Sequence, residues 1–212
     1  IKEMATAVIS GSGTSTFNRS ISDEERRWMV IGICLNKVLT PTLRDVLRVE
    51  IPKWHQTLVK PPIEIDQQTY AKFEKNLPLS AIKLNYESIN NNTVHKSTKS
   101  YDYAVRDPLS LAKLFVKPFM AAFSGFDHTM DTSAALAITC EAQPFIVCGA
   151  AVLAKKVRSD IRNEWAHCDF SHWTKPSFET ALNDIQSLVR TLNLTAAEEI
   201  NVLDEIDKWR NN

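Results

Sequence analysis

The sequence predicts an all-α protein, and three observations carry that reading. Apolar residues recur at three- and four-residue steps through most of the chain, the spacing that lines one face of a helix. Serine, threonine, aspartate and proline stand just ahead of those stretches, where helix starts need them. No run alternates apolar with polar residues as a half-buried strand would, and five glycines in 212 residues are too few for a turn-rich β fold.

In chain order, residues 1–20 are small and polar around Gly11 and Gly13 and are expected to be a loose arm, and residues 21–212 form one helical domain. Ser22 with Glu25 has the spacing of a capping box, ahead of an inward stripe of Trp28, Ile31, Leu35, Val38 and Leu39. Thr40-Pro41 marks a second helix start, with Leu43, Val46 and Leu47 on its apolar face. Pro52 is expected to kink or end that helix before Trp54 and Leu58, and Pro61-Pro62 predicts an extended break. Asp66 is placed as the cap of a short helix with Tyr70, Phe73 and Leu77. Pro78 opens another piece carrying Leu79, Ile82, Leu84 and Ile89. The polar tract from Asn90 to Ser100, with Lys96 and Lys99, reads as a solvated connection.

Asp107-Pro108 caps a strongly apolar helix of Leu109, Leu111, Leu114, Phe115, Phe119 and Phe123. After a turn at residues 124–131, Asp131 or Thr132 caps a long segment reaching Ala166, a buried pair or one helix kinked near Pro144 and Gly149. A helix from Pro176 turns Phe178, Leu182, Ile185, Leu188, Val189 and Leu192 inward. Thr195 with Glu198 caps a last one whose stripe is Ile200, Leu203, Ile206 and Trp209.

Lys plus Arg equals Asp plus Glu at 25 each, so no overall basic field draws in nucleic acid, and any such contact needs a local patch. Cys34, Cys140, Cys148 and Cys168 are scattered without a C-x-x-C pair, which argues against a zinc site of the usual kind and for a reducing, cytoplasmic setting. No uninterrupted apolar run reaches about 18 residues, so no membrane span is expected. No glycine-rich phosphate loop occurs either, and neither metal nor cofactor is expected.

Chemistry concentrates in residues 155–172, KKVRSDIRNEWAHCDFSH, at Arg162, Asn163 and His167. A permanently charged guanidinium beside an imidazole suits a phosphodiester: one holds phosphate oxygens while the other moves a proton. On an ideal helix Arg162 and His167 lie roughly 140° apart, so they share no face, whereas Asn163 and His167 do. They can converge only if the helix ends near His167, or if a second copy supplies the missing partner, which favours a two-fold homodimer. Lys155, Lys156 and Arg158 are candidate RNA-binding residues, with Asp160 and Glu164 partly cancelling their field. The plainer alternative pairs Arg162 with Asp160 or Glu164 and leaves His167 as a helix-end charge. His172 reads as ordinary surface, His128 beside Asp127 as a chance neighbour pair, and the five tryptophans as core or interface.

RNEWAH resembles the R-x4-6-H type of motif of HEPN domains, the helical bundles of toxin and defence ribonucleases. The wider frame resembles the branch represented by the HEPN domain of the DAZ-interacting zinc-finger ubiquitin ligase. It has Thr42-Leu43-Arg44 on an early helix, a central helix pair, a long helix delivering Ile161-Arg162-Asn163 and His167, then Phe178 to Ile185. The resemblance covers residues 24–195 and is closest over 157–190. It implies a HEPN-type bundle with additional terminal helices and metal-independent RNA cleavage, in which the 2′-hydroxyl attacks the adjacent phosphate. His167 would then move the proton, Arg162 stabilise the phosphorane and Asn163 orient the site. The same resemblance allows a non-catalytic adaptor or dimerisation module of a signalling or ubiquitin-ligase protein, and nucleotide binding by analogy alone.

Overall fold

The computed structural model describes residues 20–76, 83–93 and 98–211, and among them it contains helices and turns but no strand. The first helix, α1 (Asp23–Ile33), opens with the expected capping box: Glu25 N–H donates to Ser22 Oγ, and Ser22 N–H to the Glu25 carboxylate. A π-helical segment (Cys34–Leu39) comes next, and α2 (Thr40–Leu58) continues from it without a break. Thr40-Pro41 is therefore not a new helix start. Pro41 has no N–H and its ring crowds the carbonyl four residues back, and the wider turn ahead of it relieves both. The Thr40 hydroxyl donates to the Leu35 carbonyl at 2.6 Å. Pro52 does not end α2 either, which runs on to Leu58.

The Pro61–Pro62 bond is cis and lies in a turn rather than an extended break. Asp66 caps no helix: turns and bends lead to one 3-10 turn, Phe73–Asn76. Leu77, Pro78, Leu79, Ile82, Lys96 and arm residues 1–19 lie outside the described residues. The polar tract is not wholly solvated. Asn92 is buried, donating to the carbonyls of Tyr86 and Asp102 and accepting from Asp102 N–H, and so pins the connection to the body.

Asp107 caps α3 (Pro108–Lys113), which is shorter than expected, so Leu111, Leu114, Phe115 and Phe123 are buried while Phe119 is 78% exposed. Asp131 caps α4 (Thr132–Glu141), accepting from Ala134 N–H at 2.7 Å. Every residue from Thr132 to Cys140 is buried, the state expected of a helix that is apolar on all sides. Extended backbone at Ala142, the short α5 (Gln143–Val147) and left-handed Gly149 (φ +83°) turn the chain back as α6 (Ala150–Lys156). The long segment is thus a helix pair. Ala150, Ala151 and Ala154 are small enough to let α6 lie close on α4.

A second π-helical segment (Val157–Asn163) and α7 (Glu164–Ala166) extend α6. Helix α8 (Lys175–Val189) buries Phe178, Leu182, Ile185, Leu188 and Val189 as its periodicity requires. Helix α9 (Ala196–Arg210) begins with the expected Thr195–Glu198 capping box, but of its stripe only Ile206 is fully covered and Ile200 is 57% exposed. One contiguous apolar core reaches from Ile31 to Ile206. Among the described residues no helix is long and apolar enough to cross a membrane.

Truncating Ile185, which is fully buried, to alanine should cost about 2–5 kcal/mol in chemical denaturation, whereas Phe119→Ala should shift stability by less than about 0.5 kcal/mol. The thiols should separate equally well. Burial pushes Cys34 up to about 12 and Cys140 up to about 11, so a thiol reagent at neutral pH should modify exposed Cys168 first and reach those two only on unfolding.

Candidate functional site

The rod from Ala150 to Ala166 carries the motif, and its burial pattern decides what the motif can face. Ala150, Ala151, Ala154, Val157 and Ile161 turn into the core, leaving Val152, Lys155, Lys156, Ser159, Asp160 and Asn163 outward. The rod ends at His167, because Cys168 adopts a left-handed conformation (φ +56°) that no α-helix continues. Its end is held by Trp165. The Trp165 and Trp28 indoles stack with centroids 5.5 Å apart and planes 15° from parallel. Trp28 Nε1–H donates to the Trp165 carbonyl at 2.9 Å, and Trp165 Nε1–H donates to the Trp28 carbonyl at 3.2 Å. Phe170 meets the Trp28 ring edge-on, and Arg27 donates to the Trp173 carbonyl, so the loop after the motif is also tied to α1. Gly32 makes this contact feasible, since a Cβ there would lie 2.7 Å from Trp165 Nε1.

Arg162 is half-buried and faces a cavity of about 80 Å³ lined by Leu35, Asn36, Trp165 and the Asp131–Ser133 start of α4. Its guanidinium donates to Asn163 Oδ1 at 3.2 Å and makes no ion pair among the described residues, with Asp160 or Glu164 included. The wall opposite is a polar relay. Asn36 donates to the Gly32 carbonyl, Thr132 donates to Asn36, and the Thr132 and Thr40 hydroxyls lie 2.7 Å apart. The Ser133 hydroxyl, also on this wall, is buried without a partner among the described residues. The His167 imidazole is exposed and has no hydrogen bond or ion pair among them. Arg162 and Asn163 are thus brought together, while no hydrogen bond links either to His167.

The other candidates disperse. Lys156 pairs with Asp184 at 2.8 Å and Lys155 approaches Glu141 at 3.8 Å, on opposite flanks of the rod. Arg158 turns toward α4 beside Cys140, half-buried. His172 is exposed, its ring edge-on to Trp173. Asp127 accepts from Thr129 N–H and Thr129 Oγ1 rather than from His128, and those bonds hold its carboxyl below the usual range. Among the described residues no group of three or more His, Cys, Asp or Glu is placed to hold a metal ion.

Sequence reasoning missed a cavity of about 420 Å³ on the other side of Arg158, lined by Tyr86, Tyr101, Tyr103 and Phe115 among others. Tyr101 and Tyr103, two residues apart, were the available signal.

The indole lock makes a direct prediction. Gly32→Ala should destabilise the fold by about 1–3 kcal/mol in urea, because the added carbon must displace Trp165. Trp165→Phe, which replaces the indole by a smaller ring and removes its N–H donor, should cost about 1–3 kcal/mol. No family model, curated protein or solved structure matches the chain.

Proposed function

We propose that the chain is a HEPN-type domain that cleaves RNA without a metal ion, at a site completed by a second copy across a two-fold axis. The observation that carries this reading is His167: it stands exposed where the helix stops, without a hydrogen bond or ion pair among the described residues, just beyond the hydrogen-bonded Arg162 and Asn163. An imidazole free of internal partners can take the proton from a ribose 2′-hydroxyl as its oxygen attacks the neighbouring phosphorus. The second copy's imidazole then returns a proton to the departing 5′-oxygen, leaving a 2′,3′-cyclic phosphate. Charge accumulates on the non-bridging oxygens as the new bond forms, and in this reading the Arg162 guanidinium stabilises it. Asn163, bonded to that guanidinium, orients it. Pairing of copies is supported by two exposed apolar side chains ahead of the motif, Val147 at the end of α5 (77% exposed) and Val152 on α6 (74%).

A second reading, a non-catalytic dimerisation module, is favoured by a different observation. Lys155 and Lys156 approach carboxylates of the same chain, so the rod presents little free positive charge to a phosphate backbone.

Single-stranded RNA incubated with the chain in EDTA separates the two. Cleavage with cyclic phosphate ends is expected, falling about 10²–10⁴-fold in His167→Ala while helical circular dichroism is unchanged. A wild-type chain inert toward a broad RNA panel sinks the nuclease reading and leaves the dimerisation module. Sedimentation should show a dimer, which Val152→Asp converts to monomer with loss of cleavage.

A further inference from the structure

We infer that the cavity beside Arg158 is a binding site for a small aromatic anion, a flat ring system bearing one carboxylate, sulfonate or similar acid. This site is separate from the RNA-cleaving reading and does not rest on it. About 420 Å³ is the capacity of a small-molecule pocket rather than of a packing defect, since ligand cavities run from roughly 300 to 1,000 Å³. Its floor is apolar and fully formed: Leu84, Leu114, Phe115 and Val116 are each at most 4% exposed.

Three tyrosines make the far wall, and two of their hydroxyls donate to backbone carbonyls. Tyr101 donates to the Thr93 carbonyl and Tyr103 to the Thr98 carbonyl, while Tyr86 accepts from Gln68. Tyr86 and Tyr103 meet edge to face at 4.9 Å, and Tyr101 lies 6.0 Å from Tyr103. With the Tyr101 and Tyr103 O–H donors committed, the rings are most of what the wall has to offer. An aromatic guest gains from that arrangement through stacked or edge-on contact.

The near wall supplies charge. Arg158 is half-buried yet makes no ion pair among the described residues, and the polar group beside it is the Cys140 thiol. A guanidinium partly withdrawn from water without a carboxylate is costly, and an incoming anion would offset that cost. Glu141, also on this wall, is drawn toward Lys155 at 3.8 Å. Lys83 and Lys117 are exposed lining residues and add positive charge. Glu74 and Glu87 lie by the tyrosines: Glu74 acts on the Tyr86 hydroxyl and Glu87 on that of Tyr101. With Arg158 beside Cys140 and the carboxylates of Glu74 and Glu87 beside the tyrosines, a guest is oriented with its acid toward Arg158 and its ring system toward the tyrosines.

The probe is 8-anilinonaphthalene-1-sulfonate, an aromatic sulfonate whose fluorescence rises on transfer from water, titrated into the folded chain. One-to-one saturable binding is expected, weakened about tenfold or more in Arg158→Gln, with the neutral N-phenyl-1-naphthylamine much less affected. Ala71→Trp, which fills the cavity from a half-buried wall position, should abolish binding of both probes with the helical spectrum retained. Val152→Asp, on the exposed apolar face, should leave binding unchanged. Affinity that survives both Arg158→Gln and Ala71→Trp, or that is lost in Val152→Asp, places the probe elsewhere and overturns the proposal. So does the absence of saturable binding. His167→Ala should not alter the titration, whatever it does to RNA.

Discussion

Two indoles, each donating its N–H to the carbonyl of the residue that carries the other, fasten the end of the motif rod to the first helix. The Trp28–Trp165 pair combines stacking with two hydrogen bonds that leave neither indole donor unpaired, and Gly32 is the residue that lets the rings approach. Residues 137 positions apart are joined this way. Everything proposed for the motif depends on it, because Trp165 lies between Arg162 and His167 and its attachment decides which way each of them faces. With the indole turned inward, Arg162 is drawn to the start of α4 and His167 is left at the surface.

The two π-helical segments are part of the same arrangement. One precedes Pro41, whose missing N–H and bulky ring an ordinary turn would accommodate poorly. The other carries Arg158 and Arg162. Each π turn inserts the equivalent of one extra residue and rotates the helix on its C-terminal side relative to the helix before it, and such bulges are frequent at functional sites. Here the rod presents alanines to α4 at one end and offers Arg158 and Arg162 to different cavities further along. Four residues apart, these side chains would share a face of a regular α-helix, yet they line different cavities in the fold.

Charge is distributed by the same packing. The chain is formally neutral, and on the rod that neutrality is realised locally, with Lys155 near Glu141 and Lys156 bound to Asp184. Arg158 and Arg162 are the cations of the segment without a carboxylate partner among the described residues, and both are half-buried beside empty space. Exposed ion pairs contribute little stability, but they remove charge from a surface effectively. The lysines, conspicuous in the sequence, are accordingly less available than the arginines beside them.

Much of the helical frame was legible from residues alone, for a local reason. Capping boxes at Ser22 and Thr195, the Asp107 and Asp131 caps and the inward stripe of α8 are set by interactions within one or two turns, and each stands where its spacing put it. Where expectations failed, contacts beyond the cap spacing took over: Thr40 bonds to the Leu35 carbonyl within a continuous helix rather than opening a new one, and Asn92 is drawn inward by Asp102. By itself the sequence determined that this protein is helical and where most of its helices begin, because backbone satisfaction and amphipathic period act over a few residues. Only the tertiary structure decided what the motif faces: the reciprocal indoles and the cavity by Arg158 each join residues far apart in the chain, and no spacing encodes which will meet.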